Sequence, residues 1–312
     1  MPFKGKAETF NASIATLDIG TGEKTIRLGG QNVLPLYAFD ASMENPPRVG
    51  VEISDEGLEG YTPKLLEYYA GASDVVSIAK KAAAMEGADF VCLRLDSADP
   101  NGKNTSIEDC VKLAKEVCAA IDKPLTIMGS RNVEKDGALF EKLAEALQGE
   151  NVLLLSAREE DYKKVGASGL AYNQKVGAES AVDINLAKQL NVLLTQLGVA
   201  PKNIGMNLGS AAAGYGFEYV ASTMERVKSA ALSQNDTMLQ MPVITPVALE
   251  TWAVKESIVS ESEVPEWGDM EERAIHMETV TAMACLASGS DAVILRHPVS
   301  VSKISALIGA LL

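Results

Sequence analysis

The sequence is poor in cysteine, and none of its four cysteines belongs to a metal-binding pattern. Cys92 lies in an apolar run, Cys110 and Cys118 lie in one helical pattern, and Cys285 lies in a later helical segment. Structural zinc sites and iron-sulfur clusters require cysteines or histidines at short, regular spacings. We therefore expect no iron-sulfur cluster within this chain, and we expect the four thiols to be buried core residues.

Histidine, positive charge and long apolar runs are also scarce. Only two histidines are present, which limits histidine-based catalysis. The formal net charge of -14 argues against nucleic acid and anionic membranes as partners, because their phosphates would be repelled. No run of about 18 apolar residues could span a bilayer, and the start MPFKGKAETF lacks the apolar stretch of a signal peptide. We expect a cytoplasmic protein.

A repeating strand and helix rhythm occupies most of the 312 residues. Near-continuous runs of Val, Ile and Leu are typical of parallel strands that are buried on both faces, and each run here leads into a helical pattern. Eight such units without a change in composition predict an α/β fold, a (β/α)8 TIM barrel over residues 48–312. The runs begin near Val49, Phe90, Leu125, Val152, Val176, Ile204, Val243 and Ala292.

Two further segments lie outside this repeat. Ala12 to Leu17 and Lys24 to Leu28 alternate around Gly20-Thr21-Gly22, which predicts an N-terminal β-hairpin extension. With the linker that follows, it occupies residues 1–47. The acidic, serine-bearing stretch from Glu256 to Glu266 is predicted to be an extended surface loop between the seventh strand and its helix.

Barrel enzymes bind their ligands at the carboxyl ends of the strands, so candidate site residues are sought there. No lysine stands at a strand's carboxyl end, which argues against a Schiff-base aldolase. No convincing pair of histidines with carboxylates is available for a metallohydrolase. The candidates for ligand contact at this mouth are Asp96, Asn207, Gly209, Ser210, Gly214, Thr245, Arg296 and His297.

Each candidate also has a purely structural alternative. Asp96 could accept hydrogen bonds from a heterocycle, but an Asp after a strand is more often a turn former or helix cap. Asn207 could present its amide to a ligand. Gly214 could allow close approach of a planar ligand, or could only shape a turn. Arg296 could neutralise an anion, and His297 could merely cap a strand.

Several short motifs extend from the predicted hairpin to the last helix. They are Gly29-Gly30-Gln31-Asn32, Pro35 to Asp40, Gly214 to Tyr219, Met224-Glu225-Arg226, Met241 to Pro246, Glu266-Trp267-Gly268 and Arg296-His297-Pro298. Together they resemble the small subunit of the corrinoid iron-sulfur protein, which is the counterpart of the acetyl-CoA decarbonylase/synthase delta subunit. The resemblance covers essentially the whole chain.

The resemblance implies a TIM barrel that lacks the iron-sulfur cluster and pairs with a large subunit. That subunit would hold the cluster and a cobamide, which would lie between it and the mouth of this barrel. The heterodimer would shuttle a methyl group on cobalt from methyltetrahydrofolate:corrinoid methyltransferase to CO dehydrogenase/acetyl-CoA synthase, in the reductive acetyl-CoA pathway. This chain would act as a lid and docking platform without catalysis of its own. One departure is the turn Asn207-Leu208-Gly209-Ser210, where relatives are expected to have an acidic Asp-Pro turn.

Two alternatives remain open from the sequence. The first is a free-standing pterin-dependent TIM-barrel methyltransferase, in which Asp96 and Asn207 would hold the pterin. The hairpin and the motif from Gly214 to Arg226 argue against it, because they resemble the carrier subunit. The second is a purely structural barrel whose loops do not touch the corrin.

Overall fold

A computed structural model describes residues 6–312, which form a short antiparallel hairpin followed by eight parallel strands. The hairpin pairs β1 (Leu17–Ile19) with β2 (Ile26–Leu28). The parallel strands are β3 (Arg48–Ser54), β4 (Phe90–Arg94), β5 (Leu125–Met128), β6 (Leu153–Ala157), β7 (Lys175–Glu179), β8 (Ile204–Asn207), β9 (Ile244–Pro246) and β10 (Ala292–Leu295).

The parallel strands close into a barrel. Their order in the sheet is β8-β7-β6-β5-β4-β3-β10-β9, and a bridge between Met206 and Val243 joins the two ends. The helices between them are α1 (Pro63–Tyr68), α2 (Val75–Ala83), α3 (Ile107–Ala120), α4 (Val133–Ala146), α5 (Tyr162–Ala171), α6 (Ile184–Leu197), α7 (Phe217–Ser233), α8 (Val247–Thr251), α9 (Lys255–Ile258), α10 (Met270–Ser288) and α11 (Pro298–Leu311). The predicted TIM barrel with an N-terminal hairpin is confirmed.

Helix α6 shows how local sequence sets these boundaries. The carboxylate of Asp183 accepts hydrogen bonds from the backbone N–H groups of Asn185 and Leu186, so it caps the helix. Gly198 ends the helix at a φ of 108°, a conformation that glycine adopts without strain. Both ends are where the sequence pattern predicts them.

Two predicted boundaries are wrong. The first hairpin strand covers residues 17–19 rather than the predicted stretch from Ala12 to Leu17, because Ile14 and Ala15 bond to the backbone of Gln31 and Gln240 instead. The stretch from Glu256 to Glu266 is not one extended loop. Its start belongs to α9, and its end forms a 3-10 turn over Pro265–Trp267.

Side chains alternate between the barrel interior and the layer beneath the helices, as they must along a strand. In β4, Phe90 and Cys92 face the interior, whereas Val91 and Leu93 pack in the layer shared with the helices. All four cysteines are buried and free, as predicted. Within residues 6–312, no helix combines the length and the apolar character that crossing a bilayer requires.

The hairpin closes the amino-terminal end of the barrel. Leu17, Ile19 and Leu28 are almost fully buried in one cluster with Phe90 and Ile244 from the interior. The linker that follows is fastened at the same end by Asp291, whose carboxylate accepts hydrogen bonds from the side chains of Gln31 and Lys228 and from the backbone of Val243. The opposite, carboxyl end of the strands is therefore the open end.

Candidate functional site

One half of the barrel mouth is closed by buried ion pairs centred on Glu52. This glutamate lies in β3, is 1% exposed, and points into the interior. One of its oxygens accepts from Arg94 Nη1 at 3.1 Å and from Arg296 Nη2 at 2.6 Å. Arg94 also pairs with Asp96 at 3.0 Å, and Asp96 accepts a hydrogen bond from the Ser54 hydroxyl at 2.7 Å. Asp96 is therefore a member of this network.

The charges of the network compensate one another. Burial by itself raises the pKa of Glu52, but the guanidinium groups of Arg296 and Arg94 outweigh it and hold the pKa below the ordinary glutamate value. Arg296 is also enclosed by aromatic rings, 5.3 Å from the Trp252 ring centre and 5.6 Å from that of Tyr61. This half of the mouth offers no unpaired arginine to a ligand.

The other half of the mouth is centred on Asn207 at the end of β8. Its amide nitrogen donates to Ser156 Oγ at 3.1 Å and to Glu179 Oε2 at 3.4 Å. Its amide oxygen accepts from the backbone N–H of Gly209 at 3.1 Å. Glu179 pairs with Arg158 at 3.0 Å. Asn207 is 2% exposed. Its hydrogen bonds are made within the protein and stabilise the loop after β8.

A small cleft opens beside Asn207, with a cavity volume of about 60 Å³. Arg131, Arg158, Ser210 and Glu250 contribute its polar lining. Sites that enclose a drug-sized ligand or cofactor occupy roughly 300–1,000 Å³. The cleft therefore has room for one small group, and it could not enclose a pterin or a corrin ring.

The two arginine-bearing loops are held by buried carboxylates. Asp136 in α4 accepts hydrogen bonds from the backbone of Ser130 and Arg131, and it fixes Arg131 at a φ of 72°. Asp161 accepts from the backbone N–H of Arg158 at 2.7 Å. Burial raises the pKa of Asp136, and it raises the pKa of Asp161 to about 6. The geometry of the cleft thus depends on two carboxylates set in a poorly solvated layer.

The raised pKa of Asp161 predicts a pH dependence of stability. The folded chain keeps this proton at pH values where the unfolded chain has lost it, so the stabilisation is complete below about pH 4 and is lost as the pH rises through about 6. Asp161→Asn keeps an oxygen that can accept from Arg158, and we expect it to be about 1 kcal/mol more stable than the wild type at pH 7.5. Urea unfolding from pH 4 to 8 measures the difference.

The control for this experiment is Asp122→Asn, since Asp122 is exposed and makes no side-chain hydrogen bond among residues 6–312. Its stability should track the wild type at every pH. A constant difference between Asp161→Asn and the wild type across pH 4 to 8 would contradict the assignment.

Three of the sequence candidates belong neither to the ion-pair network nor to the cleft. Thr245 faces outward and is fully buried, with its hydroxyl 2.8 Å from that of Ser290, which corrects its expected position at the mouth. His297 is 1% exposed, caps α11, and lies 3.3 Å from Glu271, so its ring is not available at the mouth. Gly214 is exposed in the turn before α7 with a φ of 87°.

The remaining candidates fall into the two halves of the mouth. Asp96 and Arg296 belong to the ion-pair half, whereas Asn207, Gly209 and Ser210 line the cleft.

Sequence reasoning missed Glu52, Arg158 and Glu250. Glu52 had a usable signal, because a single carboxylate inside the apolar run VGVEIS must be paired if it faces a barrel interior. Arg158 had none, because it lies in a polar segment where a charged residue is ordinary. Glu250 lies in the largely apolar stretch PVALETWAV, which does not indicate that its side chain faces the mouth. Only the closure of the barrel brings them to the same cleft.

Comparison with known proteins decides the family. Residues 16–297 match the family model described as CO dehydrogenase/acetyl-CoA synthase delta subunit. The chain belongs to this family. The acetyl-CoA decarbonylase/synthase complex subunit delta of Archaeoglobus fulgidus is 30% identical over 99% of this chain and 69% of its own length. The subunit delta of Methanothermobacter thermautotrophicus is 33% identical over 96% of this chain and 76% of its own length.

The relatives that belong to the delta-subunit family are longer than this chain. For subunit delta 2 of Methanosarcina acetivorans, which is 34% identical, the match covers 91% of this chain and 66% of the relative. Such names place the relatives in a multi-subunit complex. The sequence-based resemblance to this family is confirmed.

The similar solved structures support the fold alone. The dihydropteroate synthase of Xanthomonas albilineans with 4-aminobenzoic acid superposes with a TM-score of 0.57 at 12% identity, covering 95% of this chain and 98% of that one. The 7,8-dihydropteroate synthase of Vibrio fischeri gives a TM-score of 0.57 at 11% identity, covering 94% of this chain and 97% of that one.

Proposed function

We propose that this chain is the small subunit of a corrinoid iron-sulfur methyl carrier. In this proposal its barrel mouth covers a cobamide that the large subunit holds. The carrier takes a methyl group from methyltetrahydrofolate:corrinoid methyltransferase and delivers it to CO dehydrogenase/acetyl-CoA synthase, as part of the reductive acetyl-CoA pathway in the cytoplasm. Membership of the delta-subunit family supports the proposal, because the relatives are named as subunits of an acetyl-CoA decarbonylase/synthase complex.

The observation that carries the proposal is the size and chemistry of the mouth. A cleft of about 60 Å³ has no room for a corrin ring, which supports a cobamide that is seated on a partner and met by this surface from one side. The cobamide supplies the cobalt atom on which the methyl group travels. Small residues at the mouth, such as Ser210 and Gly209, fit a corrin edge that bears amide side chains.

The mouth also lacks strong ligands for cobalt. No cysteine or histidine lines the cleft, and within residues 6–312 no three His, Cys, Asp or Glu side chains form a group that could hold a metal ion. His297 is buried and engaged with Glu271. The chain can therefore exclude water from the reactive face of the corrin without itself binding the metal. In this proposal the partner binds the cobamide, and this chain positions and shields it.

The test is purification of this chain from its host through a mild affinity tag. We expect a stoichiometric larger subunit to co-purify, with the visible spectrum of a corrinoid and an iron-sulfur cluster. Separated and recombined subunits should then show slower oxidation of the reduced cobalt when this chain is present than when the large subunit is alone. A colourless, partner-free protein that binds methyltetrahydropterin would overturn the proposal and favour the free-standing methyltransferase, with Asp96 and Asn207 as the next residues to mutate.

A further inference from the structure

The cleft beside Asn207 has an unusual charge arrangement. Arg158 and Glu179 line it as a pair, with 3.0 Å between them. Arg131 and Glu250 also line it, yet among residues 6–312 neither side chain makes an ion pair or a hydrogen bond. The cleft is therefore electrically balanced: Arg158 and Glu179 pair with each other, and the exposed Arg131 and the half-buried Glu250 have no partner among the described residues.

One residue of the cleft lining also has a buried polar atom without a partner. The hydroxyl oxygen of Ser210 is shielded from solvent, and no described atom lies within hydrogen-bonding distance and geometry of it. Buried hydroxyl groups are satisfied in most folded proteins, by protein atoms, by water or by a ligand. Apolar contacts come from Met128, Pro246 and Leu249 in the same cleft. The lining thus combines an apolar part with hydrogen-bond donors from Arg131 and an acceptor from Glu250.

We propose that this cleft receives one primary carboxamide side arm of the corrin. The inference rests on the proposed function and adds a binding subsite to it. A carboxamide is neutral and offers both an accepting oxygen and a donating NH₂ group. Its oxygen accepts from Arg131 and its nitrogen donates to Glu250, while the methylene part of the arm lies against Leu249 and Pro246.

Size and charge select this group over others. A volume of about 60 Å³ admits a group of a few non-hydrogen atoms, and a water molecule in the liquid occupies about 30 Å³. A carboxylate in the same position could pair with Arg131, but it has no hydrogen to donate to Glu250 and is repelled by that carboxylate. An ammonium group could pair with Glu250, but it has no atom to accept from Arg131 and is repelled by that guanidinium group. A carboxamide meets neither penalty and satisfies both kinds of unpaired group.

The experiment measures the affinity of this chain for the large subunit with and without bound cobamide. The ratio of the two affinities is the gain due to the cobamide. We expect Arg131→Ala and Glu250→Ala each to lower this gain about tenfold. Matched controls are Arg226→Ala and Glu225→Ala, because these exposed residues lie on α7 and do not line the cleft. Circular dichroism checks that each variant is folded.

A second experiment uses corrinoids in which one amide side arm is hydrolysed to a carboxylate. The large subunit is loaded with each monocarboxylic acid isomer in turn. One isomer, the one whose altered arm enters the cleft, should bind the wild-type chain about tenfold more weakly than the intact cobamide does. Glu250→Gln should restore its binding, because the repelling charge is removed while the shape is kept.

The outcomes separate this inference from the proposed function. If cobamide adds nothing to the affinity of the wild-type chain, the proposed function itself fails. If cobamide adds affinity but the Arg131 and Glu250 variants match their controls, only the carboxamide subsite is overturned. If the variants weaken binding equally with and without cobamide, the cleft receives a side chain of the partner protein instead, and the subsite is likewise overturned.

Discussion

Glu52→Gln is expected to lower the free energy of unfolding by about 3–5 kcal/mol. Glu52 is 1% exposed, and its oxygen binds both Arg94 and Arg296. Glutamine keeps the shape but removes the charge, so two poorly solvated guanidinium groups lose the carboxylate between them. For a chain of this size each kcal/mol corresponds to about 1.5 °C in Tm. Thermal and urea unfolding followed by circular dichroism measure the loss.

The pH dependence of this loss has a definite sign. The folded-state pKa of Glu52 lies below its ordinary value of 4.5, so the carboxylate stabilises the chain at pH values above 4.5. That stabilisation disappears as the pH falls through the lowered pKa. The difference between wild type and Glu52→Gln should therefore be largest near pH 7 and should shrink in acid.

Two comparisons test the cause. Glu145→Gln removes an exposed partner of Lys142 on α4 and should change stability by less than about 1 kcal/mol. Replacing the whole triad, with Glu52→Leu, Arg94→Met and Arg296→Met together, should recover much of the loss, because the buried carboxylate and both guanidinium groups are removed together, while the partly exposed Asp96 keeps its hydrogen bond from Ser54. A Glu52→Gln variant within 1 kcal/mol of the wild type at pH 7 would contradict the role assigned to this network.

Leu17→Ala is the second large effect, with an expected loss of about 2–5 kcal/mol. Leu17 is fully buried in the cluster that joins the hairpin to the barrel interior, close to Ile244 and next to Gly205. Truncation leaves a cavity where the hairpin closes the amino-terminal end of the barrel, and the surrounding strands cannot collapse far to fill it. Urea unfolding measures the loss.

The opposite face of the same hairpin supplies the control. Arg27 pairs with Asp18 at 2.6 Å, but the Arg27 side chain is 51% exposed. Arg27→Ala should cost less than about 1 kcal/mol. Partner affinity at 20 °C should be unchanged in both variants, since the mouth lies at the other end of the barrel. Equal stabilities of Leu17→Ala and Arg27→Ala would show that the hairpin does not close the core.

The sequence was sufficient to predict the strands because burial on both faces leaves a strong compositional signal. The runs that begin at Phe90 and Leu125 are strands from those residues onward, and the caps at Asp183 and Gly198 are where the pattern places them. The boundary of β1 was wrong because residues such as Ile14 are held by distant backbone partners. No local pattern encodes such partners.

The candidate site was only partly predictable for a related reason. The carboxyl end of each strand can be read from the sequence, which brought Asn207, Ser210 and Asp96 into consideration. The direction of each side chain depends on which face of the strand meets the barrel interior. Thr245 faces outward toward Ser290, while Pro246 beside it lines the cleft.

The amino-acid sequence by itself determined the barrel, the hairpin and the family, because these depend on periodic burial and on motifs along one chain. The tertiary structure decided which charges meet. Glu52 and Arg296 lie far apart in the sequence, yet the adjacent strands β3 and β10 bring them together. Arg131 follows β5 and Glu250 follows β9, which are not neighbours in the sheet, and the closed barrel brings both residues to one cleft. Ion pairs and clefts of this kind are properties of the closed barrel, since strand register and closure place side chains that no local sequence pattern relates.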